Sequence, residues 1–253
     1  MKFRSPSDKI SPMKYEKIRK AKFIERPNRF VAYVELDGRR EKVHVKNTGR
    51  CRELLVPGVH VILEDFDGRM KTRKLRYSLI AVKKELKGAA GPESLLINMD
   101  SQAPNSVVKE GLLSGSIRLQ GMERLSALRA EYTYGASRLD FYIEDAKGRP
   151  ALIEVKGVTL EQDGVARFPD APTVRGIKHI EELIKAKAAG CHAAIIFVIQ
   201  MKGVNKFEPN YETHPQFGEA LKQAKDAGVE ILAYDCRVSE NELTIGDTVE
   251  VEL

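Results

Sequence analysis

From Lys17 to Val82 apolar residues recur at every second position, and each run stops at a turn containing Gly or Pro, the pattern of short strands. Residues 17–24 form the first run. In the second, 29–36, Phe30, Ala32, Val34 and Leu36 alternate with Arg29, Val31, Tyr33 and Glu35. Asp37-Gly38 is a hairpin signal, and residues 41–46 return with Val43 and Val45 on one face. A short helical piece is predicted over 51–55, stopped by Pro57-Gly58. Two more strands, 59–64 and 73–82, flank the turn at Asp67-Gly68. Three strands, a short helix and two strands is the order of an OB-fold, a small closed barrel that binds single strands or distorted duplexes.

The pattern changes beyond Gly88-Ala-Ala-Gly-Pro92, a turn-rich break. A short strand is predicted at 95–97. Residues 105–113 have helical spacing, with Val107, Val108, Leu112 and Leu113 apolar and Ser114-Gly115 as the stop. The stretch 125–134 is ambiguous, with strand alternation at its end. Residues 139–144 and 151–158 read as two strands joined by Lys147-Gly148-Arg149-Pro150. An amphipathic helix covers 173–187, with Ile177, Ile180, Leu183 and Ile184 inward, and Gly190 ends it. The continuous apolar run at 193–199 is that of a central strand covered on both faces. A helix at 217–227, a strand at 229–234 and an alternating tail at 243–253, suited to an edge strand, complete the chain. The expected organisation is an all-β OB-fold barrel over 1–85, opening with a loose arm of a dozen residues, and a three-layer α/β domain over 86–253.

Composition narrows the class. With 42% hydrophobic and 31% charged residues, the 253-residue chain is of soluble globular type. It has no apolar run long enough to span a membrane, and its start lacks the apolar core of a secretory signal. Three scattered cysteines fit a reducing cytoplasm. The net charge is +6. Up to residue 87 there are 24 Lys or Arg against 11 Asp or Glu, so the basic excess belongs to the first domain and the remainder is net acidic. A basic barrel fits a polyanion, either double- or single-stranded DNA. Arg26-Pro-Asn-Arg29 and Asn47-Thr-Gly-Arg50 read as loops presenting Arg26, Arg29 and Arg50 to phosphates, or as plain turns. Phe23, Phe30, Tyr33 and Tyr77 can stack bases or fill the barrel, and the alternation favours the core for Phe30.

The chemistry concentrates on the hairpin of the second domain. Side chains alternate along a strand, so Glu154 and Lys156 share a face, and Asp140 lies on the partner strand. Charges on a mostly apolar strand need a reason. Two carboxylates supply hard oxygens suited to Mg²⁺ or Mn²⁺, and the Val155 carbonyl is a further ligand candidate. Lys156 can orient a water and offset charge in the transition state of phosphodiester hydrolysis. Glu131 and Glu110 are candidates for a third carboxylate. Gln200, at the end of the central strand, is a candidate to reach the same edge. Arg175, Lys178 and His179 fall in the first two turns of the helix opened by Thr173, where a phosphate would meet free N–H groups.

An acid on one strand followed by (D/E)-x-K on the next, within αβββαβ order, resembles the PD-(D/E)xK nuclease superfamily. Arg26-Pro-Asn-Arg-Phe30, Ser137-Arg-Leu-Asp-Phe141, Glu154-Val-Lys156, Phe168-Pro-Asp-Ala-Pro-Thr173 and Arg175-Gly-Ile-Lys-His-Ile180 together resemble the sugar fermentation stimulation protein A (SfsA) family, from about residue 15 to about 235. That resemblance implies an OB-fold followed by a restriction-endonuclease-like domain, and DNA binding. It also implies a catalytic set of Asp140, Glu154 and Lys156, with Arg138 of the Ser137 motif beside it as a nucleic-acid contact. His214-Pro215 stands where the family has Asp-Pro, and the loop from Asn47 to Cys51 is a variant. The expected activity is metal-dependent cleavage of DNA. The alternatives are a non-cleaving DNA-binding regulator linked to sugar use and, less favoured, an enzyme acting on a small phosphorylated substrate. The oligomeric state, a homodimer included, stays open.

Overall fold

The computed structural model describes residues 12–86 and 94–253. The expected N-terminal arm, bar its last residue, and the break at 88–92 lie outside the described residues. The first half contains β1 (Met13–Lys14), β2 (Ile18–Asn28), β3 (Val31–Leu36), β4 (Arg39–Val45), β5 (His60–Asp65), β6 (Tyr77–Glu85) and β7 (Ser94–Asn98). Their order is β4-β3-β2-β5-β6-β7, and β4 also pairs with β6 through His44↔Ser78 and Val45↔Leu79. That pairing closes five strands into the expected OB barrel around Phe23, Val34, Val43, Val61, Leu63 and Leu79.

Four expectations for this half change. Residues 51–55 make one turn, in which the N–H groups of Leu54 and Leu55 both reach the Cys51 carbonyl, and not a helix. Pro57-Gly58 follows too soon for a second turn. Phe30 is 52% exposed, because it sits in the two-residue turn between the paired Asn28 and Val31 and has left the alternation. The last barrel strand starts at Tyr77. Residues 66–76 form a loop instead, gathered by Arg73 stacked 3.6 Å over Phe66 and by Arg76 on Asp65 at 2.7 Å. The 95–97 strand pairs with β6 of the barrel sheet, so it does not belong to the second sheet.

The second half continues with α1 (Ala103–Ser114), β8 (Leu125–Tyr134), β9 (Ser137–Asp145), β10 (Pro150–Val158), β11 (Leu160–Gln162), β12 (Val165–Phe168), α2 (Val174–Ala188), β13 (His192–Ile199), β14 (Lys206–Pro209), α3 (Pro215–Asp226), β15 (Glu230–Val238), β16 (Glu242–Thr248) and β17 (Glu250–Val251). A seven-stranded sheet runs β1-β16-β15-β13-β10-β9-β8, with β10, β13 and β15 parallel. Its centre is β13. Ala194, Ile196 and Val198 pack with Val107, Val108 and Leu112 of α1. Ile195, Phe197 and Ile199 pack with Ile180 and Leu183 of α2 and Phe217 and Leu221 of α3. The apolar run thus faces helices on both sides, giving the three layers. The α2–α3 core is continuous with the barrel core.

The β9–β10 turn is held by one carboxylate. Asp145 is fully buried and accepts from the N–H groups of Glu123, Lys147 and Arg149 and from the Arg149 guanidinium. Burial works to raise its pKa, but these donors outweigh it and hold the carboxyl far below the usual range. A folded-state pKa below the unfolded value stabilises the fold above the unfolded value, about 3.9 for Asp. That contribution is lost as the pH falls toward the folded value. Asp145→Asn is therefore expected to lower stability at neutral pH and to flatten its acid dependence. Urea unfolding of both proteins from pH 7 down to pH 3 should show the two curves converging.

Candidate metal and nucleic-acid site

The hairpin ladder of β9 and β10 runs from Glu144↔Pro150 to Phe141↔Ile153 and stops there. At the next step, where Asp140 and Glu154 would pair, the strands separate. The freed Val155 N–H donates to Asp140 Oδ2 at 2.8 Å in place of a ladder bond. In a strand the N–H and C=O of one residue point the same way, so the Val155 carbonyl also faces this gap. Asp140 Oδ1 accepts from Asn105 Nδ2 at 2.7 Å, and Asn105 lies in the first turn of α1.

Glu154 is 2% exposed. Its Oε1 accepts from Lys156 Nζ and from His179 Nδ1. Its Oε2 is buried with no partner. A buried carboxylate oxygen without a donor is costly unless something positive meets it. Burial pushes the Asp140 carboxyl above the usual range, and the charge on Glu154 adds to this. Glu154 is also pushed up by burial, but the hydrogen bonds from His179 and Lys156 outweigh that and leave it below its ordinary value. The gap thus holds two crowded carboxylates and a carbonyl, all hard oxygens, and this set fits a divalent cation such as Mg²⁺ or Mn²⁺. Among the described residues no group of three or more His, Cys, Asp and Glu side chains could hold a metal, so two carboxylates and the Val155 carbonyl are the protein oxygens this gap offers.

Neither candidate for a third carboxylate joins them. Glu131 lies opposite Asp140 in the β8–β9 register, but its backbone is left-handed at φ 56°. Its side chain is 66% exposed and pairs with Arg138 at 2.7 Å. Glu110 faces the other end of the sheet, where it accepts the Met13 N–H near Lys14 and Glu242. Gln200 is buried, and its amide donates to Asn98 Oδ1 and the Asp100 carbonyl at 2.9 and 3.1 Å. It comes beside β10 at Gly157, where a Cβ would stand 2.6 Å from Gln200 Oε1 and 2.8 Å from Pro104.

The expected nucleic-acid contacts divide. Arg26 is spent inside the protein, with its guanidinium donating to the carbonyls of Arg29, Asn47, Gly49 and Arg50 at 2.6–2.9 Å. It clamps the two loops and leaves Arg29 and Arg50 exposed. The Arg50 N–H donates to Asp170 Oδ2 at 3.2 Å, joining the barrel to the Pro169–Pro172 loop. Gly49 permits this approach, since a Cβ there would lie 2.4 Å from that oxygen. A cleft of about 580 Å³ lined by Arg29, Arg50, Arg52 and Ala171 lies along the junction. His179 is buried against Glu154, on the inward side of α2, and does not face phosphate. Arg175 and Lys178 are exposed on the same helix, and Lys178 Nζ reaches the Ala136 carbonyl at 3.1 Å. Arg138 is occupied by Glu131. At the start of α2, Thr173 Oγ1 accepts the Gly176 N–H, and the Thr173 N–H donates to His214 Nδ1, the residue that departs from the family wording. Asn105 is the site residue that periodicity missed. Its signal was its place after Pro104, two residues into a helix.

Two family models match the chain. The SfsA N-terminal OB domain covers residues 24–91, and the sugar fermentation stimulation protein RE domain covers 102–242. A sugar fermentation stimulation protein homolog of Desulfitobacterium hafniense is 51% identical over 95% of this chain and 99% of its own length. One from Clostridium beijerinckii is 51% identical over 95% and 100%. The structure of Pyrococcus furiosus SfsA in complex with Ca²⁺ is 29% identical, covers 96% of this chain and 100% of that one, and superposes with a TM-score of 0.81. With both domains matched in order and half of its residues shared with those homologs, the chain belongs to the SfsA, or sugar fermentation stimulation protein, family.

Proposed function

We propose that this protein is a metal-dependent DNA phosphodiesterase, with Asp140, Glu154 and Lys156 as its catalytic set. The observation that carries this reading is Glu154 Oε2, buried without a donor beside a second carboxylate whose ionised form is disfavoured. A cation in the gap relieves both. The relative solved with Ca²⁺, another oxygen-seeking ion, supports a hard-cation site in this fold. In this reading Asp140, Glu154 Oε2 and the Val155 carbonyl hold the ion. When bound, Mg²⁺ or Mn²⁺ supplies Lewis-acid stabilisation of the phosphate's charge and makes a water acidic at neutral pH. Lys156 Nζ lies on the flank of Glu154, where it orients the attacking water and brings positive charge to the phosphate. Arg29, Arg50 and Arg52 on the barrel, with the basic loop from Arg69 to Arg76, attract the backbone of DNA.

The test is incubation of the pure protein with plasmid and single-stranded DNA in Mg²⁺, Mn²⁺ or EDTA. Cutting that needs the metal and fails in Asp140→Asn supports the reading. Salt-dependent DNA binding without cutting in any metal would establish a regulator instead.

Asn105 gives a second expectation. Ligand-orienting residues of this kind are worth about 10- to 100-fold in metal affinity. Asn105→Ala should lose about that much Mn²⁺ affinity in a calorimetric titration.

A further inference from the structure

Resting on the nuclease reading, we propose that Arg175 and His179 form a relay that couples phosphate binding at the surface to cation binding in the buried gap. Two hydrogen bonds in a row carry this. The Arg175 Nε donates to His179 Nε2 at 3.4 Å. A ring nitrogen that accepts carries no proton, so in the neutral ring the hydrogen is on Nδ1. His179 Nδ1–H therefore donates to Glu154 Oε1. With Oε1 held there and by Lys156, the remaining oxygen of Glu154 is left buried without a partner.

The two ends of the relay lie in different environments. His179 and Glu154 are buried, while Arg175 is exposed one helical turn earlier on α2. Its Nε is engaged, and its two terminal nitrogens meet no other described residue. These present a forked donor pair suited to a phosphate oxygen pair. A phosphate seated there immobilises the guanidinium, which restricts the imidazole and with it the carboxylate. A cation on Glu154 does the same in reverse. Such coupling is reciprocal, so each ligand raises the affinity of the other by the same factor.

The experiment measures Ca²⁺ affinity by calorimetry with and without a short DNA duplex, and duplex affinity with and without Ca²⁺. The ratio is the coupling factor. Direct contact between a cation and the scissile phosphate contributes to that factor in every variant, so the relay is read from its change. In Arg175→Lys the charge stays but the fixed Nε donor is gone. In His179→Asn the side-chain amide can still donate to Glu154, but its oxygen falls short of the Nε2 position that Arg175 reaches. Each is expected to lower the coupling factor by about fivefold or more, the scale of typical couplings. The double variant should lose no more than either single, as groups on one path do. An arginine that only touched phosphate would weaken DNA equally with and without Ca²⁺, and a coupling factor unchanged in either variant overturns the relay. Wild-type protein that binds Ca²⁺ and DNA independently also overturns it and leaves the nuclease reading standing. Absence of any Ca²⁺, Mg²⁺ or Mn²⁺ binding overturns both.

Discussion

Lys156→Ala is expected to slow metal-dependent DNA cleavage by about a thousandfold while leaving DNA binding largely intact. The side chain does two things. Among the described residues its ammonium is the one Lys or Arg cation paired with Glu154, and it helps hold that carboxylate ionised. In the proposed mechanism it also orients the attacking water beside the scissile phosphate. Proton-transfer and electrostatic roles of this kind are each worth about 10²–10³ in rate. The effects overlap and do not multiply, because both act through one ammonium. DNA affinity should change little, since the barrel arginines proposed to attract the backbone are on separate loops. Single-turnover cleavage at saturating Mn²⁺, with DNA affinity measured in parallel, checks both halves. A rate within tenfold of wild type would remove Lys156 from the catalytic set.

The second large effect concerns stability. Asp100→Ala is expected to cost about 3–5 kcal/mol, the scale for leaving a buried charge without its partner. Asp100 is 1% exposed and accepts from Lys46 Nζ at 2.9 Å and Tyr15 Oη at 3.3 Å. Its Oδ1 accepts the Gln102 N–H at the start of α1. Lys46 comes from the end of the barrel, and its other carboxylate, Glu64, is at 3.4 Å. Asn98 and Gln200 complete the network, with Gln200 lying against Gly157 of β10. Removing Asp100 leaves Lys46 only the longer contact to Glu64 and frees the segment that carries Asn105 to Asp140. Urea unfolding should show the loss, and Asp100→Asn should recover part of it through the Gln102 and Tyr15 contacts. A loss under 1 kcal/mol would mean that water reaches Lys46 and the junction is open.

What the sequence made legible follows from periodicity. The barrel strands, the hairpin carrying Asp140 and Glu154, the helix over α2 and the doubly covered β13 all have long or regular apolar patterns. The missed sheet of β11, β12, β14 and β17 is made of strands of two to four residues, too short to show a period. Arg26 read as a phosphate contact because composition shows charge but not partners, and four backbone carbonyls claim it. His179 read either as a phosphate contact among basic neighbours or as a satisfied histidine on the helix flank. The 3.6-residue turn places it beside Ile180 and Leu183 on the buried side, a phase that its polar character disguised. Glu131 fits strand alternation in sequence, and only its left-handed backbone takes it away from Asp140.

The most direct measurement is the anomalous difference map of crystals soaked in Mn²⁺. The account predicts one strong peak in contact with Glu154 Oε2, the Asp140 carboxylate and the Val155 carbonyl, absent from Glu154→Gln crystals. A map without density in that gap, or with its strong peak at other residues, would contradict it.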